Sequence, residues 1–571
     1  MDVKQHIIEL ISRSSGAITT QEDVADSISD SPVADYGSTL PFKLAKKQNK
    51  NPVRLAEEIA GKIQSTKLIE KIQAVNGYVN FWLNRSEYTK KFLKEISERG
   101  KQYGGGQRKG RIILEHTSVN PTGPVHVGRL RNTIIGDSLR RILEYTGYDV
   151  ETHYYVNDIG KQIAVIGAGR RQVEPSKEVG KEYGKYMPRK DYQLFSIYVP
   201  AYNKFEEDDE FKNRVQKLIQ DAETGDKKAL EKITAVAREC LEGQKETFKR
   251  LDVRFDAFDY ESKSITDGSA FKILEKARKS DYWRTADFGS GLDLSSFSIE
   301  KKSGLSVLIR GDGTTVYLTR DLAYHLKKEK LAGSKGILIN VLGEDHKLEF
   351  AELKTILERI LEFKADLKAV HYSFVSFEGE KFSTRKGKIA SVDVLLDEAV
   401  EKALVEVRKR KIADESIAGM VGTGAVKFHI IKTHPNKQMM FNWSEALDFE
   451  GETAPYIQYA HARSCRILEK AGEWKPDDYS TTPENEEEWQ LIRKLASFPE
   501  ALEKSVDELR PDVVANYLLE LTAAYGRFYM KCPVLDSGEK VRTRRLLLVK
   551  ATRDIVKTGL SLLGIQAPER M

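Results

Sequence analysis

The sequence predicts a multidomain α/β protein: a parallel β-sheet in the middle of the chain, a small α/β domain before it and an all-α helical bundle after it. Three observations carry that expectation. The chain has 571 residues, too many for one compact core, so two to four domains are expected. At 111–118 a β-branched run, RIILEHTS, leads through a glycine- and proline-bearing loop into LRNTIIGDSLRRILEYTG, with apolar residues at helical spacing and a glycine stop; YDVETHYYVND then reads as a second strand. Strand, helix, strand is a βαβ unit, which builds parallel sheets and binds ligands at the carboxyl ends of its strands. From about residue 392 onward the spacing is almost wholly helical.

Taken in order, the chain opens with MDVKQHIIELI, whose Asp2, Lys4 and Glu9 make it an amphipathic helix and not a signal peptide. The first hundred residues end in GYVNFWLN, an alternating aromatic-rich strand, and GKQYGGGQRKG then reads as a linker. We therefore expect an N-terminal domain over 1–105. Within the second domain, 106–391, charged helical segments such as FEEDDEFKNRVQKLIQD predict an insertion near 170–250, and another is expected near 280–312. Strand-like runs return at SVLIRGDGTTVYLTRDLAYHL and GILINVLGEDHKLEF, before a basic loop, EGEKFSTRKGKIA. The third domain, 392–571, ends in a helix with Arg542, Arg544, Arg545, Lys550, Arg553 and Lys557 on or near it, which predicts a partly basic face.

Composition narrows the function classes. A net charge of +6 arises from 92 Lys and Arg against 86 Asp and Glu, so the mean charge alone does not argue for a polyanionic partner. Cys240, Cys465 and Cys532 lie far apart without a CxxC pair, which speaks against a zinc ribbon or a disulfide scaffold and fits a reducing compartment. No window approaches the ~20 apolar residues of a membrane span.

Two short stretches carry possible chemistry. In PVHVGRLRNTIIGD, His126 and Gly128 stand where a loop turns into a helix. Glycine there lets the backbone approach a ligand, the exposed N–H groups favour phosphate, and the imidazole can donate to developing negative charge. Taken alone, the same residues are better explained by a capping histidine and an eased turn. In KFSTRKGK, Lys381, Arg385, Lys386 and Lys388 surround Ser383, Thr384 and Gly387. Such a loop suits a triphosphate, although alone it would be an ordinary solvated basic turn.

Together, an HxG at a helix start and a KxS loop about 250 residues later resemble the HIGH and KMSKS signatures of class I aminoacyl-tRNA synthetases. EHTSVNPTGPVHVG, YYVNDIGKQ, DGTTVYLTRDLAYH, VLGEDH and APYIQYAHAR resemble, in order, arginyl-tRNA synthetases. The likeness runs from LAKKQNKNPVRLAEEIA to GLSLLGIQAPERM, nearly the whole chain. It implies a Rossmann-like catalytic core. It also implies that Glu115, Tyr317 and Asp321 grip a guanidinium, that Asn120 lies near the substrate's α-amino and carboxylate end, and, more loosely, that Asp345, His346 and Gln162 line the pocket. Residue chemistry is compatible: a planar five-donor guanidinium wants carboxylates, and Glu115, Tyr317, Asp321 and Asp345 are expected at strand ends, with Asp321 also a natural helix N-cap.

Two positions depart from the family's pattern. Arg129 replaces the second histidine of HIGH, a fixed cation beside nucleotide phosphates, and Thr384 replaces the second lysine of KMSKS. Some arginyl enzymes with such a loop compensate with a lysine shortly before the histidine; that position here is Gly123. Lys381 is thus the favoured phosphate contact of the loop, with Ser383, Arg385 and Lys386 beside it.

What the resemblance implies for function is activation of L-arginine by ATP with Mg2+, then transfer to the terminal adenosine of tRNA(Arg), the first step requiring bound tRNA. No structural metal, no DNA, no membrane, a cytoplasmic location and a monomer are expected. For tRNA contacts it points to Tyr78 and Asn80 in the N-terminal domain, and to Tyr456, Tyr525 and Met571 in the helical domain. The alternatives are a synthetase of the same fold charging lysine, an RNA-binding paralogue weakened by Arg129 and Thr384, and an ATP-dependent amino-acid ligase that uses no RNA.

Overall fold

The computed structural model describes residues 3–15, 19–377, 390–412, 414–475, 479 and 482–571. The chain forms two compact units that do not follow chain order. One comprises Met1–Tyr103, Ser464–Pro499 and Glu520–Ile555, the other Gly104–Arg463, Glu500–Leu519 and Val556–Met571.

In the first unit β1 (Ile28–Asp30), β2 (Tyr36–Ser38), β3 (Ile69–Val75) and β4 (Tyr78–Leu83) form an antiparallel sheet in the order β1-β2-β4-β3. Asn76 and Gly77, both at positive φ, make the two-residue turn joining β3 to β4, the backbone shape that Asn-Gly favours. Helix Glu486–Ala496 completes this unit: Trp489 is buried, donates from Nε1 to Asp35 Oδ1 at 2.9 Å and meets the Tyr88 ring edge-on. The expected basic face of the last helix is largely consumed by internal pairing. Arg544 and Arg545 are buried against the fully buried Glu488, Lys550 and Arg553 pair with Asp554, and Lys557 pairs with Glu569. A carboxylate taken out of water needs such partners, which is why these arginines turn inward.

The second unit is built on five parallel strands: β5 (Arg111–Glu115), β6 (Asp149–Val156), β7 (Ala257–Tyr260), then β11 (Ile337–Gly343) and β12 (Asp366–Tyr372) after an antiparallel trio of β8 (Trp283–Ala286), β9 (Gly289–Leu292) and β10 (Ser306–Arg310). Their order is β12-β11-β5-β6-β7, so the chain leaves β5 toward one edge and returns at β11 toward the other. A crevice therefore opens at the carboxyl ends of β5 and β11, where ligands bind in doubly wound folds. Helices from Lys161–Gly169 to Lys227–Arg250 fill the connection between β6 and β7. Ile113, Leu338 and Leu367 of the sheet pack with Leu322, Ala323, Leu353 and Ile356 of its covering helices.

One element differs from expectation. The TTVYLTRDLAYHL stretch enters a helix, Tyr317–Ala332, so Tyr317 and Asp321 do not stand at strand ends and Asp321 is not its N-cap, which is Val316. β-Branched and aromatic residues favour strands locally, but Leu322 and Ala323 bury against the sheet at helical spacing, and packing overrides that preference. Short strands β13 (Val375–Phe377) and β14 (Met439–Phe441) pair in parallel, β14 being the one strand after residue 392 among the described residues. No helix among the described residues is long and apolar enough to cross a membrane.

Candidate active site

The phosphate end of the crevice is shaped by residues 116–132. Thr117 holds a positive φ of 62°, costly for a β-branched residue, and its N–H donates to Asn132 Oδ1 at 2.9 Å while Asn132 Nδ2 donates to the carbonyl of Val341 at 2.9 Å. One amide thus ties the loop after β5 to β11. His126 caps the turn Val127–Arg129 that opens helix Leu130–Thr146: its Nδ1 accepts from the Gly128 N–H at 2.8 Å. A neutral ring accepting at Nδ1 carries its proton on Nε2. Burial, helped by Arg129, holds the His126 pKa below the ordinary imidazole value, which favours that neutral form. A Cβ at Gly128 would lie 2.9 Å from Nδ1, so the cap requires glycine. Arg129 is half-buried one turn away and has no carboxylate within ion-pair distance among the described residues.

Backbone bonds link this turn to residues 390–392. The Val127 N–H donates to the carbonyl of Ala390 at 2.8 Å, the Val392 N–H to that of Val125 at 2.9 Å, and His126 bridges Ser391. Ser391 in turn meets the Tyr192 hydroxyl, and Asp393 is fully buried among Arg189, Arg250 and Thr247. Lys381, Ser383, Arg385 and Lys386 lie outside the described residues. Arg131, which sequence reasoning passed over, is fully buried and donates to the carbonyls of Ser373, His434 and Lys437. Burial lowers its pKa to about 10.

Polar side chains meet at the other end of the crevice. Glu115, the last residue of β5, pairs with the fully buried Lys328, whose Nζ also lies 3.2 Å from Asn340 Oδ1 and 3.2 Å from His325 Nε2. His325 Nδ1 lies 3.0 Å from the Asp321 carboxylate. For Asp321, burial works against the charged form, yet His325, Lys328 and His346 outweigh it and lower its pKa. The Tyr155 ring packs at a tilt against Tyr324, centroids 4.8 Å apart, and burial, reinforced by Glu261 and Asp321, pushes its hydroxyl pKa well up. Arg320 pairs with the buried Glu261 at 2.6 Å and lies 4.9 Å over the exposed Tyr317 ring.

Asn120 Nδ2 donates to Gln162 Oε1 at 3.1 Å, so these two expected substrate contacts meet. Asp345 and His346 form the exposed turn Glu344–His346 directly after β11, their side chains 3.9 Å apart. Lys328, His325, Asn340, Tyr155 and Glu261 were missed as site residues. Helical spacing in DLAYHLKK puts Asp321, His325 and Lys328 on one face, but nothing in that stretch marks Lys328 as buried against Glu115.

The expected tRNA contacts are scattered. Tyr78 is exposed at the start of β4, whereas Asn80 is buried, its Oδ1 accepting from Ser31 at 2.8 Å and its Nδ2 without a partner among the described residues. Tyr456 is half-buried in helix Ala454–Ala471. Tyr525 is 1% exposed and stacks on Phe528, so it belongs to the core and offers no face to a base. Met571 packs on the cluster around Val407, Ile417 and Val421.

Comparison with known proteins agrees along the whole chain. Residues 93–443 match the class I tRNA synthetase (R) catalytic domain, 1–83 the arginyl tRNA synthetase N-terminal domain and 457–571 the DALR anticodon binding domain. The arginine–tRNA ligase of Methanocaldococcus jannaschii is 40% identical over the full length of both chains. This chain belongs to the arginyl-tRNA synthetase family. Within that family, the arginine–tRNA ligase of Methanocella arvoryzae is 41% identical over 97% of this chain and 96% of its own. The structure of the Thermus thermophilus arginyl-tRNA synthetase matches with a TM-score of 0.82 at 29% identity, covering both chains completely. In this arginyl-tRNA synthetase, Glu115 ends β5 and the His126 turn follows it, both on the carboxyl side of the sheet.

Proposed function

We propose the following roles in the reaction of this arginine–tRNA ligase. Glu115, Asp321 and Tyr317 take the guanidinium of L-arginine. Asn120 and Gln162 orient its α-amino and carboxylate groups, and Asp345 and His346 wall the pocket. A carboxylate oxygen of arginine attacks the α-phosphorus of ATP and pyrophosphate leaves; a ribose hydroxyl of the terminal adenosine of tRNA(Arg) then attacks the activated carbonyl and AMP leaves. The Nε2–H of His126, the backbone at Gly128 and the cation of Arg129 stabilise charge on the phosphates, with Lys381, Ser383, Arg385 and Lys386 as their partners from the second signature. The carboxylate nucleophile needs no general base. Magnesium would be held chiefly by ATP oxygens, since no group of three or more His, Cys, Asp or Glu among the described residues is arranged to hold a metal.

The observation that carries this reading is the His126 cap and the Glu115–Asp321 cluster at the switch point of one sheet. Tyr78, Tyr456 and Met571 remain our candidate tRNA contacts, in a cytoplasmic monomer, whereas Asn80, buried like Tyr525, supports the strand that carries Tyr78. ATP–pyrophosphate exchange with purified protein tests the chemistry. Exchange should occur with arginine and not lysine, and only when tRNA is added. Exchange with lysine would overturn the pocket roles; tight tRNA binding without any exchange would identify an RNA-binding paralogue.

A further inference from the structure

Asp321, His325 and Lys328 lie on one face of helix Tyr317–Ala332, and Lys328 ends fully buried beneath the proposed arginine pocket. Its ammonium has three N–H donors and three acceptors: a Glu115 oxygen, Asn340 Oδ1 and His325 Nε2. His325 Nδ1 faces the carboxylate and the carbonyl oxygen of Asp321, whereas Nε2 faces the Lys328 ammonium and, at 2.8 Å, Asn340 Nδ2. Nδ1 therefore carries the ring proton and Nε2 accepts. The two carboxylates are thus joined through one polar chain, Glu115–Lys328–His325–Asp321, buried at Lys328 and His325 and open at Asp321.

We propose that Lys328 is a positioning residue that sets amino-acid specificity: its internal ammonium occupies the Glu115 oxygen that a substrate lysine would seek. The proposal rests on the pocket reading above. Two carboxylates and one buried cation leave a single negative charge, enough for one substrate cation. A lysine ammonium is a compact charge with three donors, and near Glu115 it would meet a like charge in a poorly solvated site. A guanidinium spreads its charge over a plane with five donors. It reaches the second Glu115 oxygen and Asp321 while keeping its charge away from the Lys328 Nζ. Lys328 also holds one Glu115 oxygen in place, leaving the second for a substrate donor.

The test uses full-length Lys328→Met, Glu115→Gln and the double variant, assayed by tRNA-supported ATP–pyrophosphate exchange with arginine and with lysine. Lys328→Met should raise the arginine KM about tenfold, leave the ATP KM within about twofold, and lower the arginine-to-lysine ratio of kcat/KM at least about tenfold. Equal increases in both KM values with an unchanged ratio would overturn the proposal, because a merely structural role predicts that pattern. Should Lys328→Met not fold, the double variant, which leaves no unpaired buried carboxylate, decides. Its arginine KM should match that of Glu115→Gln alone, since Lys328 acts through Glu115, while its selectivity should fall below that of Glu115→Gln, which keeps the ammonium. Equal selectivity in those two variants would overturn the proposal. Failure of the pocket reading is separate: it would show as an unchanged arginine KM in Glu115→Gln itself.

Discussion

At Gly128 a missing carbon atom decides the geometry of the phosphate end. The imidazole Nδ1 of His126 lies 2.9 Å from where a Gly128 Cβ would be, so Gly128→Ala should displace the ring and lower kcat for exchange by more than about tenfold, with the arginine KM little changed. Asp321→Asn keeps shape and removes charge; we expect the arginine KM to rise between about tenfold and a hundredfold at constant ATP KM, read from the same assay. His116 gives a pH signature. Burial lowers its pKa from 6.5 to about 4, so the folded protein resists a proton that the unfolded chain accepts. Its contribution to stability is complete above pH 6.5 and is lost as pH falls from 6.5 to about 4, a loss on the order of 3 kcal/mol. Urea denaturation across that window should show a shallower acid loss in His116→Gln than in the parent chain. At this scale the sequence was partly legible. HVGR and the carboxylates could be read from residue type and spacing, but Lys328 reads as one more surface lysine, because nothing local says that its head meets Glu115 more than two hundred residues away.

The elements around the site are held by a few buried polar groups. Arg131 follows the His126 turn and gathers the carbonyls of Ser373, His434 and Lys437, so it clamps the segment leading into β13 against the loop before β14. Arg131→Met would remove the side-chain donor from the carbonyls of Ser373 and Lys437, while that of His434 keeps the Lys437 N–H. It should cost about 3 kcal/mol in urea denaturation and speed amide exchange over 373–377 and 433–441, while leaving exchange in β5 and β6 unchanged. The helix at Tyr317–Ala332 teaches the opposite lesson from the βαβ unit. In the latter, local period and tertiary packing agree, and strand and helix fall where spacing predicts; at TTVYLTRDLAYHL the local strand preference is outweighed by burial of Leu322 and Ala323.

For the molecule as a whole, chain order is a poor guide to compact units. The N-terminal segment shares its unit with helices more than 350 residues later, through Trp489 to Asp35 and Arg493 to Asp30 and Asp35. Deleting residues 1–103 should therefore expose the Trp489 indole and open 464–499 to proteolysis at protease levels that spare the full chain; an unchanged cleavage pattern there would show that those helices fold without the N-terminal segment. The linear sequence determined the α/β class, the parallel central sheet, the helical character of the C-terminal region and the residue types of the site. These properties follow from periodicity and from chemistry that each residue carries wherever it is placed. Tertiary structure alone decided that Lys328 faces inward, that Arg544 and Arg545 serve a buried glutamate, that Tyr525 is core, and that Glu115 and Asp321 share one hydrogen-bonded chain. A charged or aromatic side chain takes its role from the partner that replaces water, and those partners are remote in sequence.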